Sequence, residues 1–181
     1  MRLGGQSEQV GERCPVGVVV GILAAVYDLG MQEGYEGKKQ HKVCLWWEVS
    51  HRDTKGVRFT LPDMVTNSSS ELSTLTQRVG ALMGRAPTEE EMDVGYDTDP
   101  LIGKCCLLQI DPPRKPGGWP FVKNVMPCPA GMSGINRVEG KYGPGDPTPK
   151  FVEKMLDKSL DDEAPAQASE ADAALDKSIP F

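Results

Sequence analysis

The chain has 181 residues, of which 39% are hydrophobic, and a formal net charge of −6 at pH 7. This length allows one sizeable core with some chain left over. Residues 161–181 hold six acidic residues and one lysine, so the first 160 residues carry a net charge of only −1. This balance excludes a strongly basic protein that coats nucleic acid with its whole surface.

The start of the chain is too polar for a signal peptide, and no apolar run approaches the roughly 18 residues of a membrane span. We therefore expect a soluble, cytoplasmic protein with no membrane partner. The five cysteines show no CxxC spacing, and the only histidines are His41 and His51. Zinc sites need other ligand spacings, so we expect free thiols in a reducing compartment, no metal and no cofactor.

Hydrophobic periodicity predicts three strands in the first third of the chain. Residues 15–30 form a long, β-branched apolar run with glycine at position 21, which is typical of a long buried strand that bends. Residues 41–50 alternate, with Trp47 on the apolar face and Trp46 on the opposite, outward face. A polar turn then leads to a third alternating strand at residues 57–61.

The period changes after the third strand. Apolar residues recur at helical spacing from Leu72 to Leu82, after several serine N-cap candidates, and Gly84 ends the pattern. Strand character returns at residues 103–110 and 119–125. We interpret residues 129–160, which begin rich in proline and glycine, as a linker with a short helix near its end. Residues 161–181 have the composition of a disordered acidic tail.

The predicted fold class is therefore mainly β, with one domain over residues 1–128. Five strands with a helix between the third and the fourth have the connectivity of the OB-fold, a partly open barrel that binds oligonucleotides and oligosaccharides. Other small β-rich folds also have five strands, so the element order alone leaves them open.

The sequence shows no arrangement of residues that is typical of an active site. The glycines are scattered singly instead of forming a phosphate-binding loop, and no Ser–His or Cys–His pair has a supporting acid at a suggestive spacing. Three consecutive glutamates, Glu89 to Glu91, are typical of a solvated helix start. We expect a protein that is not an enzyme.

Aromatic rings that stack on bases and cations that neutralise phosphates are the groups that hold single-stranded DNA. In an OB barrel they lie on the second and third strands and on the first and last hairpin loops. Trp46 and Trp119 are equally compatible with binding and with burial in the core. The candidate DNA-binding residues are Tyr35, Lys38, Lys39, Lys42, Trp46, Arg58, Arg114, Lys115, Trp119 and Lys123.

The acidic tail ends in Ile179, Pro180 and Phe181, with Asp176 as the nearest acid. This end resembles the C-terminal tip of bacterial single-stranded DNA-binding proteins (SSBs), whose acidic tails end in Asp-Ile-Pro-Phe. The resemblance implies that these four residues bind replication and recombination proteins. A terminal phenylalanine would fill an apolar pocket, its carboxylate would meet a basic residue, and the upstream acids would steer the encounter.

Residues 16–128 are similar to a group of small phage proteins that are regarded as OB-fold binders of single-stranded DNA. The similarity lies in three features. They are the stretch YEGKKQHKVCLWWEV, which starts at Tyr35, a helix downstream of it, and the strand GKxCLLxI, which starts at Gly103. The similarity implies sequence-independent DNA binding in replication, recombination and repair, in the host cytoplasm if the chain is phage-encoded.

The alternative is an OB-fold protein-interaction module of a replication complex that binds DNA weakly. The near-neutral body favours this alternative, whereas the outward Trp46, the Trp119 loop and the lysine-rich first loop speak against it. Whether the chain forms a homo-oligomer is left open.

Overall fold

A computed structural model describes residues 11–132 and 134–160, without the side chain of Tyr35. The predicted tail, with Asp176, Ile179, Pro180 and Phe181, lies outside the described residues. Within the described ranges, no helix is long and apolar enough to cross a membrane. The elements are the strands β1 (Gly17–Glu33), β2 (Lys39–Arg52), β3 (Arg58–Thr66), β4 (Cys105–Asp111) and β5 (Phe121–Pro127), and the helices α1 (Thr74–Met83), α2 (Glu89–Val94) and α3 (Lys150–Leu156).

The prediction of a mainly β protein with five strands is confirmed. All strand pairs are antiparallel, and the strands lie in the order β3-β2-β1-β4-β5. β1 is long enough to pair with β4 through its first residues and with β2 from Gly21 onwards. A side chain at Gly21 would overlap Leu108 of β4, so glycine is required where β1 contacts both neighbours.

Alternation along the strands places one apolar face inside the curved sheet. Trp47 and Leu108 are fully buried there, and α1 adds Leu75, Val79 and Leu82 to the same core. α1 begins where the Ser73 side chain accepts a hydrogen bond from the Thr76 amide. It ends at Gly84, whose φ of 72° is left-handed, as the sequence predicts.

The two edge strands, β3 and β5, approach each other without forming a ladder, and α1 bridges them. The buried Arg78 of α1 donates from Nε to Asp63 Oδ2 of β3 at 2.9 Å. It also donates from Nη2 to the carbonyl oxygen of Lys123 in β5 at 3.0 Å. Burial raises the pKa of Asp63, and the Arg78 charge opposes that effect. One arginine therefore replaces the missing ladder between the edge strands.

The outer face of β1 and β2 is covered by residues 134–160, which we call the C-terminal arm. Glu48 of β2, which is 1% exposed, accepts hydrogen bonds from the Glu139 and Gly140 amides at 2.9 and 2.7 Å. The Tyr142 hydroxyl donates to the same carboxylate at 3.1 Å. The segment that we interpreted as a linker thus packs against the sheet, and its predicted short helix is α3.

The predicted exposure of Trp46 is wrong. Trp46 does lie on the face opposite Trp47, but it is 7% exposed because the arm covers it. Its ring centroid lies 6.5 Å from that of Tyr142, and Val152 of α3 belongs to the same apolar cluster. Trp46 therefore packs in a second, smaller core between sheet and arm and offers no platform to a base.

Replacing Arg78 with methionine leaves Asp63 buried without its partner, and we expect a loss of about 3–5 kcal/mol in the free energy of unfolding. Urea unfolding followed by tryptophan fluorescence measures this change. Gln77→Met, at the exposed neighbouring position of α1, is the matched control. The double change Asp63→Leu and Arg78→Met removes both charges and recovers much of the loss. A loss for Arg78→Met no larger than that of the control contradicts the bridging role.

Replacing Glu139 with glutamine tests how the arm is held. Arg52 Nη1 donates to Glu139 Oε2 at 2.7 Å, and Arg58 Nη2 lies 3.0 Å from Oε1. These arginines lower the pKa of Glu139, so its stabilisation is present above the ordinary glutamate pKa of about 4.3 and is lost as pH falls through the lower folded pKa.

We therefore expect Glu139→Gln to unfold at lower urea concentration than wild type at pH 7, and the difference to vanish in acid. Urea unfolding at a series of pH values measures both effects. Glu153→Gln on α3, where the side chain is exposed, is the control. A difference between Glu139→Gln and wild type that persists unchanged at low pH is the contradicting result.

Candidate nucleic-acid interface

Two adjoining cavities, of about 440 and 340 Å³, lie along the gap between β3 and the β4–β5 hairpin. Both are lined by Asp63 and Met64 of β3 and by Arg114, Phe121 and Val122 of the hairpin. Together they form one open depression that we call the edge groove. The groove exists because β3 and β5 form no backbone hydrogen-bond ladder with each other and are connected by Arg78 instead.

The rim of the edge groove carries the most exposed of the three tryptophans. Trp119 is 61% exposed, whereas the other two are buried. Its loop has prolines at 112, 113, 116 and 120, which restrict the backbone before any ligand binds. The Arg13 guanidinium lies 5.7 Å from the Trp119 ring centroid and donates to the Gly117 carbonyl oxygen at 3.0 Å. A pre-positioned indole therefore stays mostly exposed to solvent while a cation–π contact with Arg13 holds it.

A second aromatic ring in the groove is already covered. The Arg114 guanidinium carbon lies 4.5 Å from the centroid of the half-buried Phe121 ring. This cation–π contact holds Arg114 against the groove wall while the residue stays exposed. Both rings thus contact a guanidinium. Trp119 is the more exposed of the two and is the ring with the larger surface left for stacking.

The lining of the groove is electropositive although the chain as a whole is acidic. The described lining residues of the two cavities include a single acid, Asp63, and this acid forms an ion pair with Arg78. The lining cations are Lys42, Arg78, Arg114, Lys115 and Lys123. This local excess of positive charge attracts a polyanion to the groove.

The lysines of the groove differ in how firmly they are held. Lys42 Nζ donates to Gln40 Oε1 and to Thr66 Oγ1, both at 2.7 Å, and burial lowers the pKa of Lys42. Lys123 Nζ lies 3.1 Å from an Asp111 carboxylate oxygen. Lys115 is exposed on the hairpin loop. Lys42 is thus fixed in position at one end, and Lys115 is free to follow a phosphate at the other.

Five of the ten residues selected from the sequence meet in the edge groove. They are Lys42, Arg114, Lys115, Trp119 and Lys123. Trp46 lies under the arm, and Arg58 points towards it, with Nη1 3.3 Å from the Glu48 carboxylate. Lys38 and Lys39 are exposed outside the groove lining, and the Tyr35 side chain is not described.

Sequence reasoning missed Met64, Pro62 and Arg13. Met64 is 43% exposed in the groove, on a part of β3 that lies beyond the predicted strand end at residue 61. Pro62 hid this continuation because proline usually ends a strand, yet an edge strand tolerates it. The apolar residues Leu61 and Val65, which share one parity of the strand, were the signal that could have extended it.

Two further cavities flank α1, and their charges make them poorer sites for phosphate. The cavity of about 420 Å³ is lined by Glu90, Glu91 and Asp97 with Lys104 as its cation. In the cavity of about 650 Å³ the cation is Arg85, which is already paired with Glu91 at 2.6 Å. Across the described residues, no group of three or more His, Cys, Asp or Glu side chains is arranged to hold a metal ion.

Comparison with known proteins adds no family. No model of a known protein family matches the chain. Among curated proteins, none is significantly similar to it in sequence. Function is therefore inferred from the chemistry of the edge groove.

Proposed function

We propose that this chain binds single-stranded DNA non-catalytically, without marked sequence preference, through the edge groove. Its five-stranded sheet would be an OB-type barrel, in which β1 pairs with β2 and β4 while β3 and β5 approach each other to close the barrel in part. The strand order and the proximity of the two edge strands support this interpretation.

The exposed indole of Trp119 beside the cations of the groove is the observation that carries the proposal. Stacking of a base on an aromatic ring contributes roughly 1–3 kcal/mol and tolerates any base, because every base has a π-face. The cations contact phosphates, which are the same in every sequence. A groove that combines the two binds unpaired strands and discriminates against duplex, whose bases are already stacked.

The arm limits where the strand runs. It covers the outer face of β1 and β2, so the strand would follow β3 and the β4–β5 hairpin and leave the middle of the sheet free. OB-folds contact about 4–16 nucleotides, and we expect a site at the short end of that range.

The biological role that fits is that of an SSB of phage type, acting in replication, recombination or repair in the cytoplasm. In this proposal the acidic tail recruits partner proteins through Asp176 and the tip formed by Ile179, Pro180 and Phe181. The tail would bind a pocket on the partner protein that is both basic and apolar, and it would not contribute to DNA affinity.

Two observations favour the alternative of a protein-interaction module. The sheet face on which Trp46 lies is occupied by the arm, and the first 160 residues have a net charge of −1. In that case the edge groove would take an extended acidic peptide instead of DNA, with Trp119 as its anchor.

Replacing Trp119 with alanine removes the stacking platform, and we expect the Kd for oligo-dT to rise roughly 5- to 150-fold. Fluorescence anisotropy of a labelled oligonucleotide measures the affinity. Trp119→Phe retains part of it, and Leu72→Ala, at a side chain that is 86% exposed outside the groove, is the control.

The affinity of the wild type should also fall as salt rises, since the cations release counterions from the strand. An unchanged Kd for Trp119→Ala, or no binding of wild type even at low salt, contradicts the DNA-binding proposal. The interaction module would be favoured instead if the wild type binds an acidic peptide but no DNA, and if Trp119→Ala no longer binds that peptide.

Deleting residues 179–181 tests the role of the tail. We expect DNA affinity to stay equal or to rise, because in this proposal the tip adds no contact to DNA and belongs to an acidic tail that competes with phosphate for the edge groove. Capture of replication or recombination proteins on the immobilised chain should be lost. Deletion of residues 167–169, which removes three uncharged residues and leaves the tip and the tail acids intact, is the control. A large loss of DNA affinity after removal of the tip would show that these residues belong to the DNA-binding unit.

A further inference from the structure

Two cysteines face each other across the β4–β5 hairpin. Cys106 pairs with Pro127 in the ladder, so the next cross-strand positions are Cys105 and Cys128. Their Sγ atoms lie 3.5 Å apart. Residues directly opposite in antiparallel strands have Cα atoms about 4.5–5.5 Å apart, which is within the range that a disulfide spans.

The other three cysteines have no such arrangement. Cys14, Cys44 and Cys106 are buried, whereas Cys105 and Cys128 are each partly exposed. Burial raises the pKa of Cys14 to about 11 and that of Cys44 to about 12, so both remain protonated and unreactive at neutral pH. Only the Cys105–Cys128 pair combines proximity with access.

The pair also lies at the root of the arm. A Cβ built at Gly134 would overlap Cys105 Sγ and lie 3.7 Å from Cys128 Sγ, so the arm backbone lies close to both sulfurs. A bond between the sulfurs would close the hairpin that carries Arg114, Lys115 and Trp119. Glycine at position 134 leaves room for the sulfur atoms to rearrange.

We propose that Cys105 and Cys128 form a reversible intrachain disulfide when the chain meets a disulfide oxidant such as oxidised glutathione. The thiolate of one cysteine attacks a glutathione sulfur and releases one glutathione thiolate. The second cysteine, as its thiolate, attacks the protein sulfur of that mixed disulfide and releases the second glutathione. The two protein thiols are oxidised to one disulfide, one oxidised glutathione is reduced to two thiols, and their two protons pass to the released thiolates.

The reaction should be slow at neutral pH and faster in alkali. Burial and the neighbouring Cys128 raise the pKa of Cys105, which keeps the thiolate fraction small. Once formed, the bond stabilises the chain by restricting the unfolded state, and we expect the Tm to rise by roughly 5–10 °C.

The test is to equilibrate the full-length chain with oxidised glutathione and to block remaining thiols with iodoacetamide under denaturing conditions. We expect the oxidised chain to carry three alkyl groups, compared with five for the reduced chain. Peptide mapping should find Cys105 linked to Cys128. In Cys105→Ser and in Cys128→Ser the remaining partner should hold glutathione, and the Tm gain should be absent.

Circular dichroism of the reduced variants shows whether they fold, so a missing bond is not confused with a missing fold. The proposal is overturned if the folded wild type accumulates glutathione on both cysteines, links other cysteines or forms dimers. It is also overturned if the folded wild type stays reduced while the urea-unfolded chain oxidises. None of these outcomes depends on whether the chain binds DNA.

Discussion

The buried pair of Arg78 and Asp63 decides what kind of surface this sheet has. The two edge strands of a curved five-stranded sheet either pair with each other or leave two rows of unpaired backbone N–H and C=O groups. Such unpaired edges promote aggregation. Here an arginine of α1 contacts a carboxylate of β3 and a main-chain oxygen of β5, so one side chain connects both edges. The gap that remains between the two edges is the edge groove.

The C-terminal arm determines which other surfaces are free. Glu48 would be costly to bury as an isolated charge, yet two arm amides, a tyrosine hydroxyl and Arg58 satisfy its carboxylate. These hydrogen bonds hold the arm over Trp46 and over the middle of the sheet, which are thereby buried. Of the three tryptophans, Trp119 is therefore the exposed one, beside the cations of the groove, and the proposal of DNA binding rests on that ring.

A long β-branched apolar run predicted the first strand, alternation predicted the second and third strands and the burial of Trp47, and helical spacing predicted the helix that ends at Gly84. Strand character at residues 103–110 and 119–125 predicted the last two strands. Alternation could not predict the burial of Trp46, because it gives the face of a strand and says nothing of what covers that face. The cover is held by backbone amides of Glu139 and Gly140, which have no sequence signature. Arg78 did leave a signal, since it shares the helical stripe of Leu75, Val79 and Leu82, where a charge needs a buried partner. Of the ten candidate binding residues, five converge: the three on the last hairpin loop, Lys42 of β2 and Lys123 of β5. Arg58 instead pairs with acids of the arm and of β2.

Photo-cross-linking with an oligonucleotide that carries 5-bromodeoxyuridine tests the central claim most directly, because it reports which side chain touches a base. The account predicts one dominant adduct on Trp119, found by mass spectrometry of the digested complex and suppressed by excess unlabelled single strand. Adducts confined to residues 35–39 or to the arm, or none under conditions in which binding is saturated, would contradict it.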